Sequence, residues 1–179
     1  PDAKFMLFAG DLIHRGGLNT ENWNEFFPAG GWIFQNIPIV ATPGNHEHKW
    51  AVKETREIVP LWDLNFCFPK NGPKGQEEQT YYMDYNNIRV ISLDTSAKIT
   101  PEQRKETYVW LEEALKNFNG DWVFVTFHHA MAGLARNRNP NIRFPEIKAL
   151  LEKYKVPMVL TGHEHLYARG RMEADFPIY

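Results

Sequence analysis

Val156-Pro157-Met158-Val159-Leu160 runs directly into Thr161-Gly162-His163-Glu164-His165, a short apolar stretch ending in a Gly-containing loop of polar side chains. The same arrangement recurs upstream. Phe5-Met6-Leu7-Phe8-Ala9 precedes Gly10-Asp11, and Ile37-Pro38-Ile39-Val40-Ala41 precedes Pro43-Gly44-Asn45-His46. Trp122-Val123-Phe124-Val125-Thr126-Phe127 leads into His128-His129. Continuous apolar runs of this length fit strands covered on both faces, so four strands are expected to deliver polar residues at their C-terminal ends.

The connecting segments read as helices and one hairpin. Thr100 with Pro101 at the first helical position and Gln103 three residues on predicts a capped helix start. Its apolar stripe is Tyr108, Leu111, Leu115 and Phe118, and Asn119-Gly120 is the expected stop. A second helix is expected from Pro145 to Tyr154 and a shorter one from Asn22 to Phe27. Tyr81–Tyr85 and Ile88–Leu93 flank Asn86-Asn87, a hairpin signal because Asn tolerates the left-handed conformation a two-residue turn needs. The sheets are therefore mixed, in an α/β fold with no internal repeat.

Composition narrows the function classes. The 179 residues, 43% hydrophobic and 23% charged, suit a single domain covering 1–179, at a prior of roughly 100–200 residues per domain. No apolar run approaches the ~20 residues of a membrane span. A formal net charge of -2 argues against binding driven by a basic field, so no sequence-specific nucleic acid is expected as a partner. Cys67, the one cysteine, has no partner for an internal disulfide. Oligomeric state is left open. The chain begins at Pro1 with neither an initiator Met nor a signal pattern, and is expected to be a processed or trimmed piece.

All seven histidines, His14, His46, His48, His128, His129, His163 and His165, fall in the four strand-end loops. Open α/β architectures place ligands beyond the carboxyl ends of strands. Carboxylate, amide and imidazole groups converging there make a hard-to-borderline metal site, and one cysteine nearly excludes thiolate alternatives. There is no His-x-His-x-Asp-His run and no His-Glu-x-x-His helix. His163 and His165 straddle Glu164; in an extended segment both imidazoles would lie on one side, within reach of two ions.

These motifs carry a resemblance. Gly10-Asp11, Gly44-Asn45-His46-Glu47, Val125-Thr126-Phe127-His128 and Gly162-His163-Glu164-His165 resemble successive motifs of the calcineurin-like metallophosphoesterases. Phe26-Phe27-Pro28-Ala29-Gly30 and His163-Glu164-His165-Leu166-Tyr167-Ala168-Arg169 are similar to the purple acid phosphatase-like branch. The resemblance implies an αββα four-layer sandwich of two mixed sheets flanked by helices, holding two metal ions (Fe, Zn or Mn). It also implies that Asp11 bridges the ions, that Asn45, His128 and His163 complete the second ion's shell, that His165 belongs to the first, and that His46 assists the leaving group. The implied reaction is hydrolysis of a phosphomonoester by a hydroxide held between the ions. Phosphodiester hydrolysis at the same centre and a non-catalytic metal- or phosphate-binding fragment are the alternatives. A secreted or periplasmic location is implied by the same likeness.

Two positions depart from the family pattern. The first-motif Asp is absent, as if the first strand were missing, with an incomplete C-terminus also open. His14 stands where purple acid phosphatases place a Tyr, and is either a ligand of the first ion or an imidazole that supports the ligands from behind or faces substrate. His48 and His129 adjoin ligands and are candidates for touching substrate or orienting neighbours. Glu47 and Glu164 are expected to fix loop geometry. Arg136, Arg138 and Arg143 form either a phosphate clamp or a solvated loop, and Arg169 is a further candidate phosphate contact. Trp23, Phe26, Phe27, Trp32 and Phe34 read as core or interface.

Overall fold

The structure, a computed structural model, describes residues 2–14, 19–49 and 57–170. Two sheets carry the described strands. β1 (Met6–Ala9) pairs in parallel with β2 (Ile39–Thr42), while β3 (Tyr81–Tyr85), β4 (Ile88–Leu93), β5 (Trp122–His129) and β6 (Met158–Gly162) form a four-stranded sheet in that order. The β3–β4 pair is antiparallel and the β4–β5 and β5–β6 pairs are parallel, so this sheet is mixed. The helices are α1 (Thr20–Asn36), α2 (Pro60–Asn65), α3 (Pro101–Lys116) and α4 (Pro145–Lys153).

The alternation of side chains along a strand sorts the layers. On β4 and β5, Ile91, Leu93, Val125 and Phe127 pack with Leu111 and Leu115 of α3 and Ile147 and Leu151 of α4. The opposite face presents Val90 and Phe124, which meet Val40 and Leu7 of the β1–β2 sheet. That smaller sheet turns Phe8, Ile39 and Ala41 toward Trp23 and Phe26 of α1 and Trp62 of α2. The order is therefore helices, sheet, sheet, helices. Polar contacts also cross the seam between the sheets: Ser92 Oγ donates to Thr42 Oγ1 at 2.7 Å, and Tyr81 Oη donates to Ala41 O at 2.8 Å.

Local signals explain most boundaries. Thr100 accepts from Gln103 N at 3.2 Å while Gln103 Oε1 accepts from Thr100 N at 2.9 Å, the reciprocal capping box read from the sequence. The α3 helix stops at Lys116, short of the expected Asn119-Gly120. β2 and β6 start after Pro38 and Pro157, because proline cannot donate to a ladder. α1 is longer than the expected Asn22–Phe27. It passes Pro28 and is broken only at Gly31, whose φ of 47° is non-helical. Phe34, beyond this kink, still packs on Phe8 with ring centroids 5.8 Å apart, which keeps the second helical piece on the sheet.

Leu111 is fully buried between α3 and the four-stranded sheet. Leu111→Ala is expected to cost about 2–5 kcal/mol and lower the melting temperature by roughly 5–15 °C, measurable by thermal denaturation followed by circular dichroism.

Candidate metal centre

The C-terminal ends of β1, β2, β5 and β6 meet at one end of the seam. His128 shares its face of β5 with Phe124 and Thr126, so its ring enters the space between the sheets, where it is 1% exposed. Its Nδ1 lies 2.8 Å from Ala9 O. A carbonyl only accepts, so Nδ1 carries a proton, and Nε2 is the ring nitrogen that faces the cluster.

That nitrogen meets other ligand-competent atoms. Asp11 Oδ2 lies 3.1 Å from His128 Nε2, Asn45 Oδ1 3.1 Å and His163 Nδ1 3.2 Å, while His163 Nδ1 and Asn45 Oδ1 are 2.9 Å apart. A proton on His163 Nδ1 satisfies this crowd only in part; a cation replacing it would meet one carboxylate oxygen, one amide oxygen and two imidazole nitrogens. Donors about 3.4 Å apart suit a tetrahedral cation with ~2.1 Å bonds, and those seen are within about 0.5 Å of that spacing. The donor set therefore fits a borderline divalent or trivalent metal.

Two glycines permit the close approach. Gly10 has a φ of +84° and a Cβ there would lie 2.6 Å from His128 Nδ1. A Cβ on Gly44 would lie 2.2 Å from Asp11 Oδ1. Glu47, fully buried at the end of a 3₁₀ turn (Asn45–Glu47), then ties the first two loops together. Its Oε1 accepts from Leu12 N at 2.7 Å and Ile13 N at 3.2 Å, and its Oε2 from Gly44 N at 2.7 Å and Asp11 N at 2.9 Å. Asp11 is held with a φ of 53°, a left-handed conformation uncommon for a non-glycine residue, though Asp adopts it more readily than most.

Electrostatics follow from burial and neighbours. Burial works to raise the Asp11 carboxyl, but the hydrogen bond and charge of His128 and the N–H of His46 outweigh it and bring the group down to about 2. Burial, then repulsion from His128, His163 and Arg143, pushes His129 down to about 3. Burial, then His128, Arg138 and Arg143, pushes His163 down to about 4. Both rings therefore stay neutral near pH 7, the state required of a ligand or a neutral donor.

The remaining candidates sort by position. His46 N donates to Asp11 Oδ1 at 3.0 Å, its Nδ1 lies 3.1 Å from Ile13 O, and its Nε2 lies 3.8 Å from Asp11 Oδ2. His14 is exposed beside it, with the two rings 5.9 Å apart. His48 is fully buried, with Nδ1 2.7 Å from Gly44 O and Nε2 2.9 Å from Asp94 Oδ2, so both nitrogens serve the fold and neither faces a substrate. His129 N donates to Thr95 Oγ1 at 3.2 Å, and the same hydroxyl lies 3.1 Å from His129 Nδ1. With the hydroxyl proton directed at Nδ1, Nε2 carries the ring proton.

The last loop departs from the expected extended geometry. His163 and His165 have φ values of 68° and 54°, and Glu164 N donates to Gly162 O at 2.8 Å, so the chain coils after β6. The coil turns Glu164 inward, where Oε2 accepts from Leu134 N at 3.1 Å and Ala135 N at 3.3 Å. His163 enters the cluster, whereas His165 is exposed, and among the described residues the clustered imidazole and carboxylate groups are Asp11, His128 and His163. Arg169 lines a separate groove with Leu134, Leu160 and Tyr167, in a segment with no strand. Asp94 and Thr95 join the site's surroundings without being expected there. The sequence does hold a signal for them: Leu93-Asp94 ends an apolar strand just as Ala9-Gly10-Asp11 does.

A family model of calcineurin-like phosphoesterases matches residues 1–167. The chain therefore belongs to the calcineurin-like phosphoesterase family, whose members use a dinuclear metal centre. Within it, the chain is similar to purple acid phosphatases. It is 24% identical to the tartrate-resistant acid phosphatase type 5 of Oryctolagus cuniculus over 183 residues, covering 91% of this chain and 55% of that relative. It is 25% identical to a purple acid phosphatase of Glycine max over 186 residues, covering 92% of this chain and 37% of the relative. A solved purple acid phosphatase from seeds of yellow lupin (Lupinus luteus) shares the fold with a TM-score of 0.72 at 20% identity, covering 93% of this chain and 31% of that one. The chain thus spans about half or less of the length of these relatives. No helix among the described residues is long and apolar enough to cross a membrane.

Packing and charge at this site both bear on stability. Gly44→Ala should cost about 1–3 kcal/mol by overpacking against Asp11, read as a lower urea midpoint. For acid stability, His129 and His163 take protons more readily unfolded than folded, so stability falls as pH drops below the ordinary histidine value of 6.5 toward about 4 and 3. Asp11 acts in the same direction between 3.8 and about 2. At His48 burial disfavours the charged ring, but Asp94 outweighs it and raises its pKa, a contribution full below 6.5 and lost as pH rises. Chelator-treated protein should show a urea midpoint declining from pH 7 to about 4.5, with the decline flattened by His129→Gln; a midpoint that rises would contradict these shifts.

Proposed function

We propose that this chain carries the dimetal centre of an acid phosphatase-like hydrolase acting on phosphomonoesters. The convergence of Asp11 Oδ2, Asn45 Oδ1, His128 Nε2 and His163 Nδ1 supports this reading above any other observation. Those residues would hold one ion. Asp11 would bridge to a second, for which His165 and His14 are the candidate ligands, with Fe, Zn or Mn as the metal. When bound, the ions supply Lewis-acid charge to the phosphoryl oxygens and an acidified water as nucleophile.

The chain's own residues would prepare this chemistry. Asp11, with a pKa of about 2, stays ionised at any mildly acidic or neutral pH and needs no proton removed before it ligates. His128 is locked in the ligating tautomer by Ala9 O. His46 Nδ1 faces Ile13 O and therefore carries a proton, so a second proton on Nε2 is the one that can pass to the leaving-group oxygen as its bond to phosphorus breaks. Asp11 Oδ2 lies 3.8 Å from that Nε2.

Apo-protein reconstituted with Mn, Zn or Fe should hydrolyse p-nitrophenyl phosphate in preference to bis-p-nitrophenyl phosphate. Metal-loaded protein that cleaves neither ester would refute the hydrolase reading, and a reversed preference would replace monoester by diester. Asn45→Ala and His128→Ala should each lower bound metal by elemental analysis. His46→Ala should lower kcat by about 10²–10⁴-fold with metal content retained.

A further inference from the structure

Beside the metal centre lies a cleft of about 470 Å³ that shares Asn45 and His163 with it. Lys98, Arg138 and Arg143 also line this cleft, together with Ser96 and His129, and no carboxylate does. The phosphoryl group of a substrate would be neutralised at the metal centre, so cations here are surplus to it. Resting on the phosphatase reading above, we propose that the cleft takes the leaving group and selects phosphomonoesters whose leaving group carries a second oxyanion, with Arg143 as the principal contact.

Arg143 is singled out by the state of its charge. Arg138 is partly engaged: Nη2 donates to His163 O at 3.2 Å, and Nε lies 4.0 Å from Glu164 Oε1. Among the described residues Arg143 forms no ion pair, and its Nη1 is buried without a hydrogen-bond acceptor. An unneutralised guanidinium in a partly closed wall is costly unless an anion joins it. Ser96, 3% exposed and lining the same cleft, also has a hydroxyl without a partner. Two polar groups in one wall thus lack protein partners, and an oxyanion in the cleft would supply one to whichever side chain turns to meet it.

The wall is built to stay in place. Asp94 Oδ1 accepts from Ser96 N at 2.8 Å and Ala97 N at 3.1 Å, while its Oδ2 meets the buried His48. Arg143 N donates to Met131 O at 2.7 Å, tying this part of the wall to the loop that follows β5. His129 lines the same wall and is held by Thr95, whose Oγ1 lies 3.1 Å from its Nδ1. A substrate spanning the metal centre and Arg143 would therefore be held at both ends before reaction, which lowers the cost of orientation.

The test uses ligands that differ only in the distal group: benzylphosphonate, 4-(phosphonomethyl)benzoate and p-xylylenediphosphonate, titrated calorimetrically into metal-loaded protein. These are not hydrolysed, so the result does not depend on turnover. The two doubly anionic ligands should bind about tenfold or more tightly than benzylphosphonate, and their relative order separates carboxylate from phosphate as the distal group. Arg143→Gln should bring that ratio close to one, and Arg143→Lys should leave it intermediate. Equal binding of all three by the wild type, or an unchanged ratio in a folded Arg143→Gln protein, would overturn the proposal. A kinetic arm compares kcat/KM for 4-carboxyphenyl phosphate and phenyl phosphate, with the same preference expected. Preferential binding of the doubly anionic ligands without turnover of either ester would sink the phosphatase reading while sustaining the anion subsite; turnover without preference would do the reverse.

Discussion

The fully buried carboxylate of Glu47 accepts four backbone N–H groups drawn from the loops after β1 and β2. Burial raises its pKa, as does the nearby Asp11 charge, while the N–H donors pull the other way. Without such an acceptor those donors would be buried and unsatisfied, at about 1–3 kcal/mol each. With it, Asp11 can keep a left-handed backbone and still aim Oδ2 at His128. Every ligand-competent atom contributed by the smaller sheet depends on this one side chain. The carboxylate of Asp11 depends in turn on Gly44, because a larger residue there would displace it.

The larger sheet provides the other half by a different route. His128 is placed by strand alternation, which sends it into the seam, and is oriented by a carbonyl of the opposite sheet. His163 is placed by a coil that begins where β6 ends, stabilised because Glu164 caps the N–H groups of Leu134 and Ala135. Strand packing thus sets one imidazole and loop hydrogen bonding sets the other. His163 and its neighbour His129 remain neutral because burial and surrounding cations disfavour a further positive charge, and in His163 that neutrality leaves a nitrogen available as a ligand.

Much of this is legible in the sequence because it rests on local rules. Apolar runs ending in polar loops locate β1, β2, β5 and β6, and Thr100-Pro101 with Gln103 locates the start of α3. The metal-competent residues are legible because parallel strands bring their C-terminal ends to one edge, so imidazoles confined to those ends must gather in space. What cannot be read depends on long-range geometry. The coil that separates His163 from His165 answers to Glu164 and to a loop some thirty residues away. His48 is recognisable as structural only through the approach of Asp94 from the end of β4. Asp94 itself is masked in the sequence because β4 reads as half of a hairpin, whereas its parallel pairing with β5 brings its C-terminal end to the same edge of the sheet. Pro28 and Gly31 suggest an early helix stop, yet aromatic packing on Phe8 carries α1 past them.

The donor cluster has a consequence for folding as well as for chemistry. Asp11 and Asn45 follow strands of one sheet, and His128 and His163 belong to the other, so a cation bound among them joins the two halves of the sandwich in the manner of a cross-link. A species that binds the native state and not the unfolded chain stabilises it by mass action, by about 2.7 kcal/mol at a hundred times its dissociation constant. The docking of the two sheets would then depend on free metal concentration. The supply of metal would set not only how many sites are filled but also what fraction of the molecules is folded.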